Sequence, residues 1–383
     1  MRFYELIFHN LAHRKLRSLL TAGGVAVAIA TVVTLVGIAY GLTRTAVDAF
    51  RSHGVDLVVV RAGAVQRTAS SMDESFAPRL ASLPGVVDAI PALTDMVSLG
   101  GGGPVGVAVH GWPADSRVWN TLRLGRGRLL RAGDRHCVVL GEQLAKNLHK
   151  DVGDTVKIEL QPFRVVGVYE SSNAYESGAA AAPLKDLQEL MDRPGQVSEF
   201  MLVLSPDLPD PETATAELRR EIAALRDDAG DLAGLVAMPT EQYVSGNMEL
   251  RLAHDMSWAI SCIALLIGSV SVLNTMLMSV MERTQEIGVL RALGWRKRRI
   301  VEMIVCESCA ISLAGALLGT VVGVSLTAGL SRLPAASGLI RAETSPRVIA
   351  AGLAVAAAVG LIGAIYPAYR GARMLPTEAL RYE

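Results

Sequence analysis

From Met256 to Met281 the chain reads MSWAISCIALLIGSVSVLNTMLMSVM, with no charged residue. A helix of that length outreaches the ~30 Å hydrocarbon core of a bilayer. Three further blocks share its character. Leu19 to about Gly41 is uncharged, about Ile300 to Leu330 carries Glu302 and Glu307 near its start, and about Val348 to Tyr369 is apolar again. Four such runs read as four transmembrane helices rather than buried core helices. Composition agrees: of 383 residues 51% are hydrophobic and 19% charged, where a soluble domain carries about 25% charged residues. The net charge of zero supplies no basic field, so nucleic acid is not an expected partner.

The first block has a basic flank in Arg14, Lys15 and Arg17, as a secretory signal would. Its apolar run is longer than the 7–15 residues of a typical signal core, so it reads as an uncleaved first span. Lys and Arg beside the spans set the orientation. Arg2, Arg14, Lys15 and Arg17 precede the first, and Arg283, Arg291 and Arg296 to Arg299 lie between the second and third. Arg370, Arg373 and Arg381 follow the fourth. These segments share one side, which places both termini in the cytoplasm and the protein in the cytoplasmic (inner) membrane. The expected layout is an N-terminal amphipathic helix at 1–18, spans at 19–41, 256–281, 300–330 and 348–369, and a large outside domain at 42–255. A cytoplasmic stalk and loop at 282–299, a short outside loop at 331–347 and a cytoplasmic tail at 370–383 complete it.

The fold class is therefore a four-helix membrane protein with an α/β extracytoplasmic domain. Val55 to Arg61 is strand-like by its β-branched content. A helix at about Met72 to Leu83 follows, closed by Pro84-Gly85, then a strand at Val86 to Leu93. The order recurs as a strand at Glu199–Leu204, a helix at Glu212–Arg226 and a strand at Leu235–Met238. Two β-α-β units bracketing an insertion suggest a split module. The insertion, about Gly111 to Gly195, is mainly β, with strands at Cys137–Leu140, Thr155–Leu160 and Phe163–Tyr169 and short helices at Glu142–Leu148 and Leu184–Met191. Gly100 to Gly103, followed by Pro104, reads as a flexible loop. It leads into the strand-like Val105–Val109, whereas a phosphate cradle leads into a helix.

No phosphate-binding loop, nucleophile elbow or zinc pattern occurs in the sequence, the seven histidines are scattered, and no catalytic or metal-binding residue is assigned. Cys306-x-x-Cys309 reads as two small residues one turn apart on a span, and four cysteines imply no disulfide framework. Two intramembrane polar groups stand out, Asn274 and Glu307, because such groups usually face a partner or a cavity. Gly315, Gly319 and Gly323 line one face of the third span, and Gly352 and Gly360, with Ala356, Ala364 and Ala368, one face of the fourth. Small residues at this spacing let helix backbones approach, within one subunit or between two. After Met281, Glu282, Arg283, Glu286 and Arg291 extend the second span as a polar stalk that Gly294 breaks. Trp295 and Arg296 then head a basic turn suited to a partner protein or anionic lipid.

The segment NTMLMSVMERTQEIGVLRALG, Asn274 to Gly294, closely resembles the signature of FtsX/MacB-like permeases. NLAHRKLRSLLTAGGVAVAIA (Asn10–Ala30) and YPAYRGARMLPTEALRYE (Tyr366–Glu383) resemble the start and the end of that family. VVLGEQLAKNL (Val138–Leu148) and FRVVGVYE (Phe163–Glu170) are similar to the inserted lobe of its MacB-type periplasmic domains. The resemblance implies a type VII ABC exporter permease without a fused ATPase domain. Its coupling element would be Glu282, Arg283, Thr284, Glu286, Gly288, Arg291, Gly294, Trp295 and Arg296. The implied partners are a separate ABC ATPase subunit, a second permease copy in a homodimer, membrane lipids and a periplasmic adaptor. No cofactor is expected in this chain, ATP and magnesium being bound by the partner. The expected function is to carry ATP-driven motion to an outside domain that exports or releases a substrate. The rival is FtsX-like mechanical signalling to a cell-envelope partner without transport. A membrane-anchored enzyme is disfavoured by the missing catalytic constellations, and the size of the outside domain leans towards export.

Overall fold

The computed structural model describes residues 15–63, 70–100, 105–171, 174–208, 210–227, 229–331 and 346–373. The expected surface helix lies outside them up to residue 14. So do Gly101 to Pro104, residues 332–345 of the expected outside loop, and the tail beyond residue 373. The chain divides into a helical unit, Met1–Tyr40 with Ala253–Leu330 and Ala342–Glu383, and an α/β unit, Gly41–Leu252 with Ser331–Arg341.

Among the described residues, four helices are long and apolar enough to cross a membrane: α1 (Lys15–Ser52), α9 (Met248–Glu282), α11 (Lys297–Leu330) and α12 (Pro346–Arg373). The helical unit is closed by small residues. A Cβ at Gly315 would lie 2.6 Å from the Ala22 carbonyl, one at Gly319 would lie 2.4 Å from that of Ala26, and one at Gly323 would lie 3.0 Å from Val33 Cβ. The glycine face of α11 is thus pressed onto α1, and Thr34 Oγ1 donates to the Gly323 carbonyl at 3.2 Å. On α12, Gly352 faces Val33 and Ile29, and Gly360 leaves room for Ser312. Ser308 Oγ donates to the Gly360 carbonyl at 2.9 Å. Both small-residue stripes serve packing inside one chain, where lipid offers no hydrophobic drive and close backbone approach is what binds helices.

The α/β unit is built on one mixed sheet. Its first part is antiparallel, in the order β12 (Leu235–Pro239), β1 (Leu57–Arg61), β11 (Glu199–Leu204), β3 (Val86–Ser98). The two β-α-β units, with α2 (Phe76–Ala81) and α7 (Pro211–Ala223), therefore interleave as a split module. Strand β3 is long enough to serve both halves. It pairs with β11 up to Ala92 and from Leu93 to Ser98 pairs with β4 (Val105–Trp112). Beyond β4 the inserted lobe continues the sheet through β9 (Ala180–Pro183), β6 (Cys137–Gly141), β8 (Gln161–Glu170) and β5 (Arg123–Gly127), with β7 (Thr155–Ile158) also on β8. The period-2 alternation puts Leu57 and Val59 into one core and Val58 into another. The first core is covered by α2, α7, α4 (Glu142–Leu148) and α6 (Leu184–Leu190). The second takes Ala46, Val47 and Phe50 from the end of α1, with Trp112 and Trp119.

Two local readings change, and one strand forms where no element was expected. Met72–Asp73 forms the short strand β2 against β10 (Gln196–Val197) instead of a helical turn, because Asp73 Oδ1 accepts the Ser75 amide at 2.8 Å and occupies the donor a helix start would use. The Asp73 carboxyl is held below its usual range by its hydrogen bonds from Ser75. Alanine-rich β9 is a strand against its propensity, since all four residues are buried between β4 and β6. Helix α1 does not end near Gly41 but runs unbroken to Ser52.

A buried ion pair where the second span ends

Helix α9 stops at Glu282, and Arg283 leaves helical geometry at φ −103°, ψ 18° before α10 (Thr284–Ala292) begins. The polar segment is therefore not an unbroken extension of the second span into water: the helix is interrupted at Arg283, and Thr284, Ile287 and Gly288 beyond it are buried. Thr284 Oγ1 caps the break by donating to the Met281 carbonyl at 2.7 Å. After α10, Gly294 takes φ +92°, a value that favours glycine, and the Gly294 and Trp295 amides return to the Arg291 and Leu290 carbonyls. Arg291 Nη1 holds the Trp295 carbonyl at 3.2 Å.

The break is fixed from inside. Arg283 Nη1 lies 3.0 Å from Glu307 Oε2 on α11, and the two side chains are only 8% and 10% exposed. Arg283 Nε also pairs with Glu286 at 2.9 Å, whose side chain is 63% exposed. Around this pair Val280, Ile287, Ile300, Met303, Ile304, Ala368 and Ala372 form an apolar cluster, and Val280 presses against the position a Cβ would take on Gly371. Gly288 is buried on the same inner side. Outward lie Val289, Leu293 and Arg296, with Leu293 74% exposed. Arg299 stacks on the Trp295 ring at 4.4 Å, and Arg298 pairs with Glu302 at 2.9 Å. One short helix thus has an inner face locked into the helical unit and an outer face left to solvent.

Of the residues singled out from sequence, Glu282 to Arg296 and Glu307 come together in one structure. Asn274 does not join them: it is exposed on α9, and the partner of Glu307 is Arg283. Sequence reasoning separated Arg283, as a stalk residue, from Glu307, as an intramembrane acid. Opposite charges in otherwise apolar surroundings were the available signal. Cys306 is exposed and Cys309 partly so, both as free thiols. No group of three metal-ligating side chains occurs among the described residues.

Residues 18–221 match the sequence profile of the MacB-like periplasmic core domain, and residues 258–376 that of the FtsX-like permease C-terminal region. The chain is 28% identical, over 98% of its length, to the macrolide export ATP-binding/permease protein MacB of Bdellovibrio bacteriovorus, of which it spans 61%. To the Brucella abortus protein of the same name it is 27% identical, spanning 60% of it. An uncharacterized ABC transporter permease of Methanocaldococcus jannaschii is 26% identical, with 98% of this chain and 96% of that protein covered. The chain thus spans about three fifths of the length of the MacB relatives it matches. Half of it is similar in fold to the crystal structure of the periplasmic region of MacB from Actinobacillus actinomycetemcomitans, at 19% identity, a TM-score of 0.39 and 92% coverage of that chain.

Proposed function

The chain belongs to the MacB/FtsX-like ABC transporter permease family, and from that premise we propose that it is the subunit that carries ATP-driven motion from a separate ATPase to its extracytoplasmic domain, which exports or releases a substrate. The observation that carries this reading is the two-faced helix α10. A docking element that transmits force needs one face held rigidly by the moving body and one face open to the partner. Ile287 and the Arg283–Glu307 pair supply the first, and Val289, Leu293 and the basic turn at Arg296 supply the second. A buried ion pair with further hydrogen bonding fixes register better than apolar contact, which is non-directional.

A separate ATPase is supported by a relative of matching extent that is described as an ABC transporter permease. In this reading ATP and magnesium sit on that partner, both termini and α10 face the cytoplasm, and the permease works as a homodimer. Co-purification with the ATPase encoded beside this chain tests the proposal, with hydrolysis measured for substitutions at Glu282, Arg283 and Glu286. Binding that these substitutions weaken is expected. Failure of the unaltered chain to bind any such ATPase would refute the proposal.

A further inference from the structure

Helix α1 ends in a buried polar knot. His53, the residue after its last turn, is 5% exposed, and Glu176 is 6% exposed. His53 Nε2 lies 2.9 Å from Glu176 Oε1. Its Nδ1 lies 2.5 Å from Thr121 Oγ1, at the end of α3 (Val118–Thr121). Thr121 gives its own hydroxyl proton to the Val118 carbonyl at 2.7 Å, which leaves its oxygen to accept from Nδ1, while Nε2 faces the Glu176 carboxyl group. Ser171 Oγ donates to Glu176 Oε2 at 2.7 Å and Ser52 Oγ reaches Oε1 at 3.3 Å. Tyr169 Oη donates to the Glu176 carbonyl at 2.6 Å. A Cβ on Gly141 would lie 2.6 Å from that carbonyl, so only glycine lets the segment sit this low. The Trp112 ring stands edge-on to the imidazole at 5.7 Å.

The side-chain partners of His53 named here, Trp112, Thr121 and Glu176, belong to the inserted lobe. Glu176 lies in α5 (Ala174–Ser177), which runs directly into β9, the strand between β4 and β6 in the lobe's sheet. To the split module α1 is joined by the chain leading into β1, by the exposed Arg51–Glu241 ion pair and by apolar contacts in a cluster that both parts share. The cavity beside the pair, lined by His53, His110, Trp112, Glu176 and Glu199, holds about 20 Å³, room for one water.

We propose that the His53–Glu176 pair is a positioning latch through which the helix of the first span moves the inserted lobe. The inference rests on the reading of the chain as a force-transmitting permease. Apolar surfaces slide at little cost because their attraction is non-directional. A buried Glu176 side chain held by His53 and Ser171 in fixed geometry does not, so displacing the end of α1 carries α5 and β9 with it.

Hydrogen exchange of the full chain, alone and with its co-purified ATPase with and without magnesium-ATP, tests this on Glu176→Ala and Glu176→Gln. In nucleotide-free Glu176→Ala, exchange is expected to rise about tenfold in residues 45–54, 118–121 and 174–183, with β1 and β11 unchanged. With nucleotide, the unaltered chain should respond at both the helix end and the lobe, and Glu176→Ala only at the helix end. A lobe response in Glu176→Ala equal to that of the unaltered chain overturns the latch. If Glu176→Ala also loses protection in β1 and β11, Glu176→Gln decides by the same comparison. If the unaltered chain shows no nucleotide response at residues 45–54, the force-transmission reading fails. The latch then stands on the nucleotide-free exchange alone, and unchanged exchange at 45–54 in Glu176→Ala overturns it.

Discussion

Arg283 and Glu307 are joined at 3.0 Å, and each side chain keeps no more than a tenth of its surface exposed. Arg283 marks the one break between the second span and α10, whereas Glu307 lies within the third span's helix. The pair therefore ties the angle of the short helix to the third span. Removing one partner leaves an uncompensated buried charge, which costs about 3–5 kcal/mol. Glu307→Ala and Arg283→Ala should each lower the melting temperature in detergent strongly. The double variant should fall well short of the sum of the two losses. Additive losses in that cycle would show that the contact does not couple the residues.

Packing and docking on α10 should separate cleanly. Ile287 is 2% exposed, and Ile287→Ala should cost about 2–5 kcal/mol of stability. Leu293 is 74% exposed, so Leu293→Ala should leave the melting temperature within about a degree or two. In the proposed function Leu293→Ala nevertheless weakens ATPase binding in a pull-down. Unchanged binding would remove Leu293 from the docking face.

The glycine face of α11 predicts a position-dependent response. Gly319→Ala forces a methyl against the Ala26 carbonyl, 2.4 Å from the ideal Cβ, while a Cβ at Gly329 meets nothing within 4 Å. Overpacking should cost Gly319→Ala about 1–3 kcal/mol. Gly329→Ala should be neutral or slightly stabilising by helix propensity. Thermal unfolding of the two variants side by side checks this, and equal melting points would contradict the close approach of α1 and α11.

In the α/β unit the acid limit of stability should depend on Asp134. Its carboxylate accepts two hydrogen bonds from Arg128, at 2.5 and 2.8 Å, which hold it below the usual carboxylate value of 3.8. A carboxyl depressed in the folded state stabilises above its unfolded pKa, and that contribution disappears as pH falls below about 4 through the folded value. Asp186 acts in the opposite sense: burial pushes it up, and its cost at neutral pH vanishes on acidification. Asp134→Asn should lose about 1.5–3 kcal/mol at pH 7 and flatten the decline below pH 4. A decline as steep as that of the unaltered chain would refute the assignment.

Uncharged runs in the sequence announce the spans, because a bilayer demands apolar length and that demand is local. The split β-α-β order was likewise legible around the insertion. Legibility stopped where propensity met burial. Ala180 to Pro183 carry no strand signal by propensity, yet form a central strand buried between β4 and β6. Met72 looked helical until the Asp73 side chain took the Ser75 amide. Coupling residues were read as a stalk, since nothing in Glu282 to Arg291 says that the helix stops at Arg283.

By itself, then, the sequence determined four spans, a large α/β insertion after the first, and a short charged connection between the second and third. Those properties depend on composition and order along the chain. Tertiary structure alone decided that Arg283 belongs to Glu307, that the glycine stripe of the third span is used by the first, and that His53 holds Glu176. Each pairing joins residues 24 to 293 positions apart. Burial of charge and the exclusion of a Cβ act through space, and a reading along the chain measures neither.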